Sequence, residues 1–173
     1  MDAILERQFL DHSVNKLRQY TERIETCLGK LNDEQVWSRG RENENALGNL
    51  VLHLSGNVRQ WIVSGVGGQP DRRERDREFN ARGGVPIAEL KERLRGTVEE
   101  AVTVIGAVPP ERLAERLLLQ QYDVSVLEAI YHVVEHFSMH TGQIMFITKM
   151  LAGTDLGFYA HLRTTAAHGQ KTP

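Results

Sequence analysis

A chain of 173 residues is long enough to close one hydrophobic core without staples, and its one cysteine, Cys27, excludes an internal disulfide. Hydrophobic residues make up 40% and charged residues 25%, and the formal net charge of -2 removes the basic field that nucleic-acid binding requires. The opening MDAILERQFL has acids and an arginine where a leader peptide needs an apolar core, and no apolar run approaches the ~18 residues of a membrane span. A cytoplasmic protein with one domain and no nucleic-acid or membrane partner is therefore expected.

In chain order, Ile4, Leu5, Phe9, Leu10, Leu17, Ile24 and Leu28 fall at helical intervals between charged residues, and Gly29 stops the pattern. Cys27 lies inside this helix, where a buried, inert thiol is expected. Residues 31–37 predict a short helical turn, and 38–45 a polar connection. A second long helix opens near Asn45, carries Leu47, Leu50, Val51, Leu54, Val58, Trp61 and Ile62, and ends at the glycines 65, 67 and 68. The mixed-sign run 71–78 reads as a solvated connector. A third helix starts at Pro86, runs through Leu90, Leu94, Val98, Val102 and Ile105, and stops before Pro109-Pro110. The linker 111–123 contains Leu117-Leu118-Leu119, which should touch the core, and no hairpin dipeptide marks a strand. Ser125 with Glu128 three residues on has capping-box spacing and opens a fourth helix that extends to about Leu151, with Gly153 as its stop. Four long helices predict an all-α fold, an antiparallel four-helix bundle over residues 1–160 with a polar, frayed tail at 161–173.

Three of the seven histidines, His132, His136 and His140, sit one turn apart on the fourth helix. Residues four apart have Cβ atoms roughly 5–6 Å apart and can share an ion, whereas eight residues span ~12 Å at about 1.5 Å rise per residue. One metal can therefore take His132 with His136, or His136 with His140, and His53 on the second helix supplies a ligand from a facing helix. His132 to His136 also spells H-x-x-E-H, an inverted zinc-peptidase signature with Glu135 as base. Such an enzyme needs a further acidic ligand downstream, and the residues after His136 hold a single acid, Asp155. The signature is therefore set aside, and Glu135, about 100° around the helix from its neighbour, reads as a surface residue.

The segment from His136 to Ile144 reads H-x-x-x-H-x-G-Q-I, and together with Leu52-His53-Leu54 it resembles the DinB-like (YfiT-like, damage-inducible) family of helical bundles. The resemblance covers nearly the whole chain and implies His53, His136 and His140 as ligands of a divalent metal, zinc or nickel. It implies a pocket lined by Asn57, Trp61, His132 and Gln143, with Gln143 bonded to a ligand or to backbone. Gly142, in mid-helix, is expected to mark a close helix approach, since glycine costs about 1 kcal/mol there relative to alanine. Relatives include transferases that use bacillithiol or mycothiol, so a metal-held thiolate attacking an electrophile is the implied chemistry, with homodimers as the implied assembly. A non-catalytic, stress-linked metal-binding protein and a metal-dependent hydrolase are the alternatives.

Overall fold

The computed structural model describes residues 3–162; residues 163–173, most of the expected tail, lie outside the described residues. The elements in chain order are α1 (Ala3–Leu28), α2 (Asp33–Trp37), α3 (Leu47–Val58), α4 (Arg75–Asn80), α5 (Ile87–Ala107) and α6 (Val126–Ala152). A π-helical stretch, Arg59–Val66, continues α3. The fold is a single domain and mostly helical. Helix α1 packs against α5 and α6, and α3 packs against the same two, so each long helix buries an apolar stripe on two others.

The stripes are those of the sequence. Leu10, Leu17, Ile24 and Leu28 of α1 are fully buried, as are Leu90, Leu94 and Ile105 of α5 and Ile130, Val133, Phe137 and Ile144 of α6. Each such side chain contributes about 1.5–3 kcal/mol by leaving water, which is why helix propensity alone need not hold these segments. Cys27 is buried in the same core, and burial raises its thiol pKa while a bond from Thr148 works the other way.

Helix ends follow local chemistry. Ser125 Oγ accepts from the Glu128 amide at 3.1 Å, and the Glu128 carboxylate accepts from the Ser125 amide at 2.6 Å, so the capping box closes. Gly153 terminates α6 in the left-handed region, φ 62°, where a side chain would be strained.

Three expectations need correction. The linker contains two short strands, β1 (Arg116–Leu119) and β2 (Tyr122–Ser125), paired antiparallel. The turn between them places Gln120 and Gln121 at φ 51° and 70°, the backbone of a tight hairpin turn built without the usual Asn-Gly, so its signal is missing from the sequence. Of the leucine run, Leu117 and Leu119 pack on the core and Leu118 faces out, as strand alternation dictates. The run 71–78 is not simply solvated: the Arg73 and Glu78 side chains are 4% and 10% exposed. Gly142 makes no close approach, because a Cβ there would meet nothing within 4 Å. No helix among the described residues is long and apolar enough to cross a membrane.

Candidate metal centre

His53 lies mid-way along α3 and is 6% exposed; His136 and His140 project from successive turns of α6, half-buried, toward it. Their Nε2 atoms converge: His136 Nε2 stands 3.1 Å from His53 Nε2 and 3.1 Å from His140 Nε2. One ligand atom from each of the three lies within 4.8 Å of the others, so together they could hold a metal ion. Bonds of ~2.0–2.1 Å at tetrahedral angles put neighbouring nitrogens about 3.3–3.4 Å apart, and octahedral angles about 2.9 Å. The observed separations fall between the two and favour neither zinc nor an octahedral ion.

The opposite ring nitrogens brace this arrangement. His140 Nδ1 is 2.8 Å from Gln143 Oε1, so its N–H donates there and its Nε2 is left bare. His53 Nδ1 stands 3.2 Å from Glu78 Oε2 and 3.0 Å from Arg73 Nη2. Because a guanidinium only donates, the tautomer decides the partner: a proton on Nδ1 goes to Glu78, whereas a bare Nδ1 accepts from Arg73. A cation at Nε2 selects the first, the carboxylate–histidine–metal relay. The single proton of a neutral His136 cannot satisfy both neighbours, whereas a divalent cation takes a lone pair from each Nε2. The donor set therefore fits a metal.

Burial pushes the His136 pKa down to about 3, with His140, His53, His132 and Arg73 adding like charge. It also lowers His140, against the bond to Gln143, and His132, against the pull of Glu135. Burial alone would raise Glu78, but the bonds from Arg73 and His53 outweigh it and hold the carboxyl below its usual range. Burial thus favours the neutral form of His132, His136 and His140, and one ionised carboxylate backs the site.

That carboxylate is positioned by residues the sequence reading passed over. Arg73 grips it with two bonds, Nε to Oε1 and Nη2 to Oε2, both 2.8 Å. Arg73 is held in turn by Gln60 Oε1 at 2.9 Å. Buried Asn49 donates from Nδ2 to the Glu78 and Ala81 carbonyls at 2.8 and 3.0 Å, tying α4 and the residue that follows it to α3 one turn before His53. Gly56 makes the space: a Cβ there would fall on Glu78 Oε1 and lie 2.7 Å from its Cδ and 3.0 Å from Arg73 Nε. A glycine three residues after His53 in an apolar helix was the available signal.

The remaining expected pocket residues divide. The ring of His132 leans on Trp61 with centroids 4.1 Å apart and planes 36° apart, and lies 5.6 Å from the His136 ring, outside the convergent three. Of the two helix-four pairings left open by spacing, the structure brings together His136 and His140. Asn57 and Trp61 are buried, and Asn57 Oδ1, Trp61 Nε1 and His136 Nδ1 have no hydrogen-bond partner among the described residues. Gln143 is bonded to His140, as noted, and Glu135 is exposed.

The fold is similar to that in the crystal structure of a conserved protein of a locus from Enterococcus faecalis, with a TM-score of 0.68 over 83% of this chain and 97% of that one. At 14% identity the likeness shows the fold alone. Among the curated proteins no match to the chain was found. Residues 5–162 match the family described as "Protein of unknown function (DUF1572)", and the chain belongs to that family.

Proposed function

We propose that this chain is a DinB-like four-helix bundle in which His53, His136 and His140 hold one divalent cation, zinc or nickel, and that the loaded site transfers a low-molecular-weight thiol to an electrophile. The observation that carries the reading is the approach of the His53 and His140 Nε2 atoms to His136 Nε2, each at 3.1 Å, with Nδ1 of His53 and His140 turned toward Glu78 and Gln143. The four long helices and the H-x-x-x-H-x-G-Q-I segment support the family resemblance.

A divalent ion with three neutral ligands and an open position would deprotonate a thiol there and supply a thiolate nucleophile. The chain's own residues set the conditions. Glu78 and Gln143 fix the tautomers and ring planes of His53 and His140, and Arg73 keeps Glu78 ionised. His132 and Trp61, in ring contact beside His136, would form an aromatic wall of the site. In the transfer the sulfur forms a bond to the electrophilic carbon, the leaving group departs with its electron pair, and the thiol proton passes to solvent. Hydrolysis is less well supported, because attack by water needs a free base, and Glu78 is committed to Arg73 and His53.

The test is turnover of chlorodinitrobenzene with cysteine or bacillithiol by metal-loaded protein, beside His140→Ala checked for helicity. Turnover that requires both metal and thiol and vanishes in the folded variant supports transfer. Bound metal with no turnover would leave a binding protein; ester cleavage without thiol would make it a hydrolase. Pairing of two copies belongs to the same reading and is checked by sedimentation.

A further inference from the structure

An apolar groove runs along the seam between α3 and α6, beginning where the histidine cluster ends. Its floor is Leu50, one turn before His53, and Ile147, two turns after His140; Phe146 and Met150 form its rim and are 64% and 70% exposed. The cavity measures about 770 Å³, within the range of small-molecule sites. Gln143 lines the groove where it meets the cluster, bonding His140 Nδ1 at 2.8 Å. Arg39 lines it as well, its guanidinium held at Asn49 Oδ1, beside Leu50.

Arg39 is a half-buried cation with no counter-ion among the described residues. Its guanidinium donates to the Glu44 carbonyl at 3.0 Å, Asn49 Oδ1 at 2.6 Å and the Ala81 carbonyl at 2.8 Å, all neutral acceptors. Its Nε has no acceptor among the described residues. The one carboxylate on the groove wall, Glu44, is taken up by the Gly40 and Arg41 amides at 3.0 and 3.1 Å. Burial and the charge of Arg82 both act against the Arg39 cation. An anion beside Arg39 would relieve that cost, and the apolar walls would bury a hydrocarbon body.

We infer that the groove binds an amphipathic carboxylate, with its carboxylate at Arg39 and its apolar chain lying along Leu50, Phe146 and Ile147. From Gln143 to Met150 the α6 axis advances about 10 Å, the length of an extended chain of roughly eight carbons. This goes beyond the metal reading and stands without it.

The test is calorimetric titration of decanoate and of decyltrimethylammonium into the protein as purified and after chelator treatment. Saturable one-to-one decanoate binding is expected in both preparations, with the cationic analogue at least about tenfold weaker. Met150→Glu, at an exposed position on the groove rim, should weaken decanoate about tenfold while leaving helicity and metal content unchanged. Equal binding of the two amphiphiles, no saturable binding, or full decanoate affinity in Met150→Glu would overturn the inference. So would sedimentation showing a pair of chains that Met150→Glu separates, since the groove would then be covered by a second copy. A wild type that holds no metal but binds decanoate selectively removes the metal reading and upholds this one.

Discussion

Replacing Gly56 by alanine tests whether the carboxylate behind His53 governs the metal site, because the new methyl never touches a ligand. It would overlap Glu78 Oε1 and lie 2.7 Å from the Glu78 Cδ, inside any real contact distance. The carboxylate can retreat only by giving up its 2.8 Å bonds to Arg73 and its 3.2 Å contact with His53 Nδ1. Loss of such an outer partner typically costs 10–100-fold in metal affinity, about 1.4–2.7 kcal/mol. Alanine favours the helix by about 1 kcal/mol, so the variant should keep its helicity. The assay is competition for zinc with a chromophoric chelator, with circular dichroism as the control for folding. Glu78→Gln should weaken zinc similarly, and the double variant should lose little more than the weaker single, because both act through one carboxylate. A folded Gly56→Ala protein with wild-type affinity would refute the reasoning.

Three further outcomes follow from the same geometry. Glu78→Gln leaves the buried Arg73 guanidinium without its counter-ion and should lower unfolding free energy by about 3 kcal/mol, read by urea denaturation. Metal-free protein should lose stability as pH falls. His136 titrates near 3 when folded and near its ordinary 6.5 when unfolded, so the unfolded chain binds more protons throughout that window. Its contribution is present above the unfolded value and drains away toward the folded one, on the order of 1–3 kcal/mol after discounting for partial exposure. Glu78, held below its usual range, adds to the same acid limb, and denaturation at a series of pH values measures the slope. Gly142→Ala should raise stability by about 0.5–1 kcal/mol with metal content unchanged, since nothing lies within 4 Å of the new methyl; thermal unfolding checks it.

The long helices were legible because their apolar residues recur with helical period and their ends carry Ser125, Gly29 and Gly153. The hairpin was not, because Gln120 and Gln121 adopt a positive φ that glutamine does not favour, so the turn leaves no mark in the sequence. The histidines were legible through spacing and resemblance, although spacing alone left His132 and His140 as rivals, and only the approach of α3 to α6 separates them. Arg73 and Glu78 were hidden for a physical reason. A charge run reads as solvated unless one knows which charges a neighbouring helix buries, and that depends on Gly56 and Asn49, remote in sequence from the run. Gly142 misled because a helical glycine was read as a close approach, a meaning that belongs in this chain to Gly56.

Elemental analysis of purified protein beside folded His53→Ala, His136→Ala and His140→Ala variants tests the central claim most directly. The expected result is about one divalent ion per wild-type chain, lost in all three variants. Wild-type protein that is metal-free and takes up no zinc, nickel or cobalt on reconstitution would contradict it, as would variants that keep their metal.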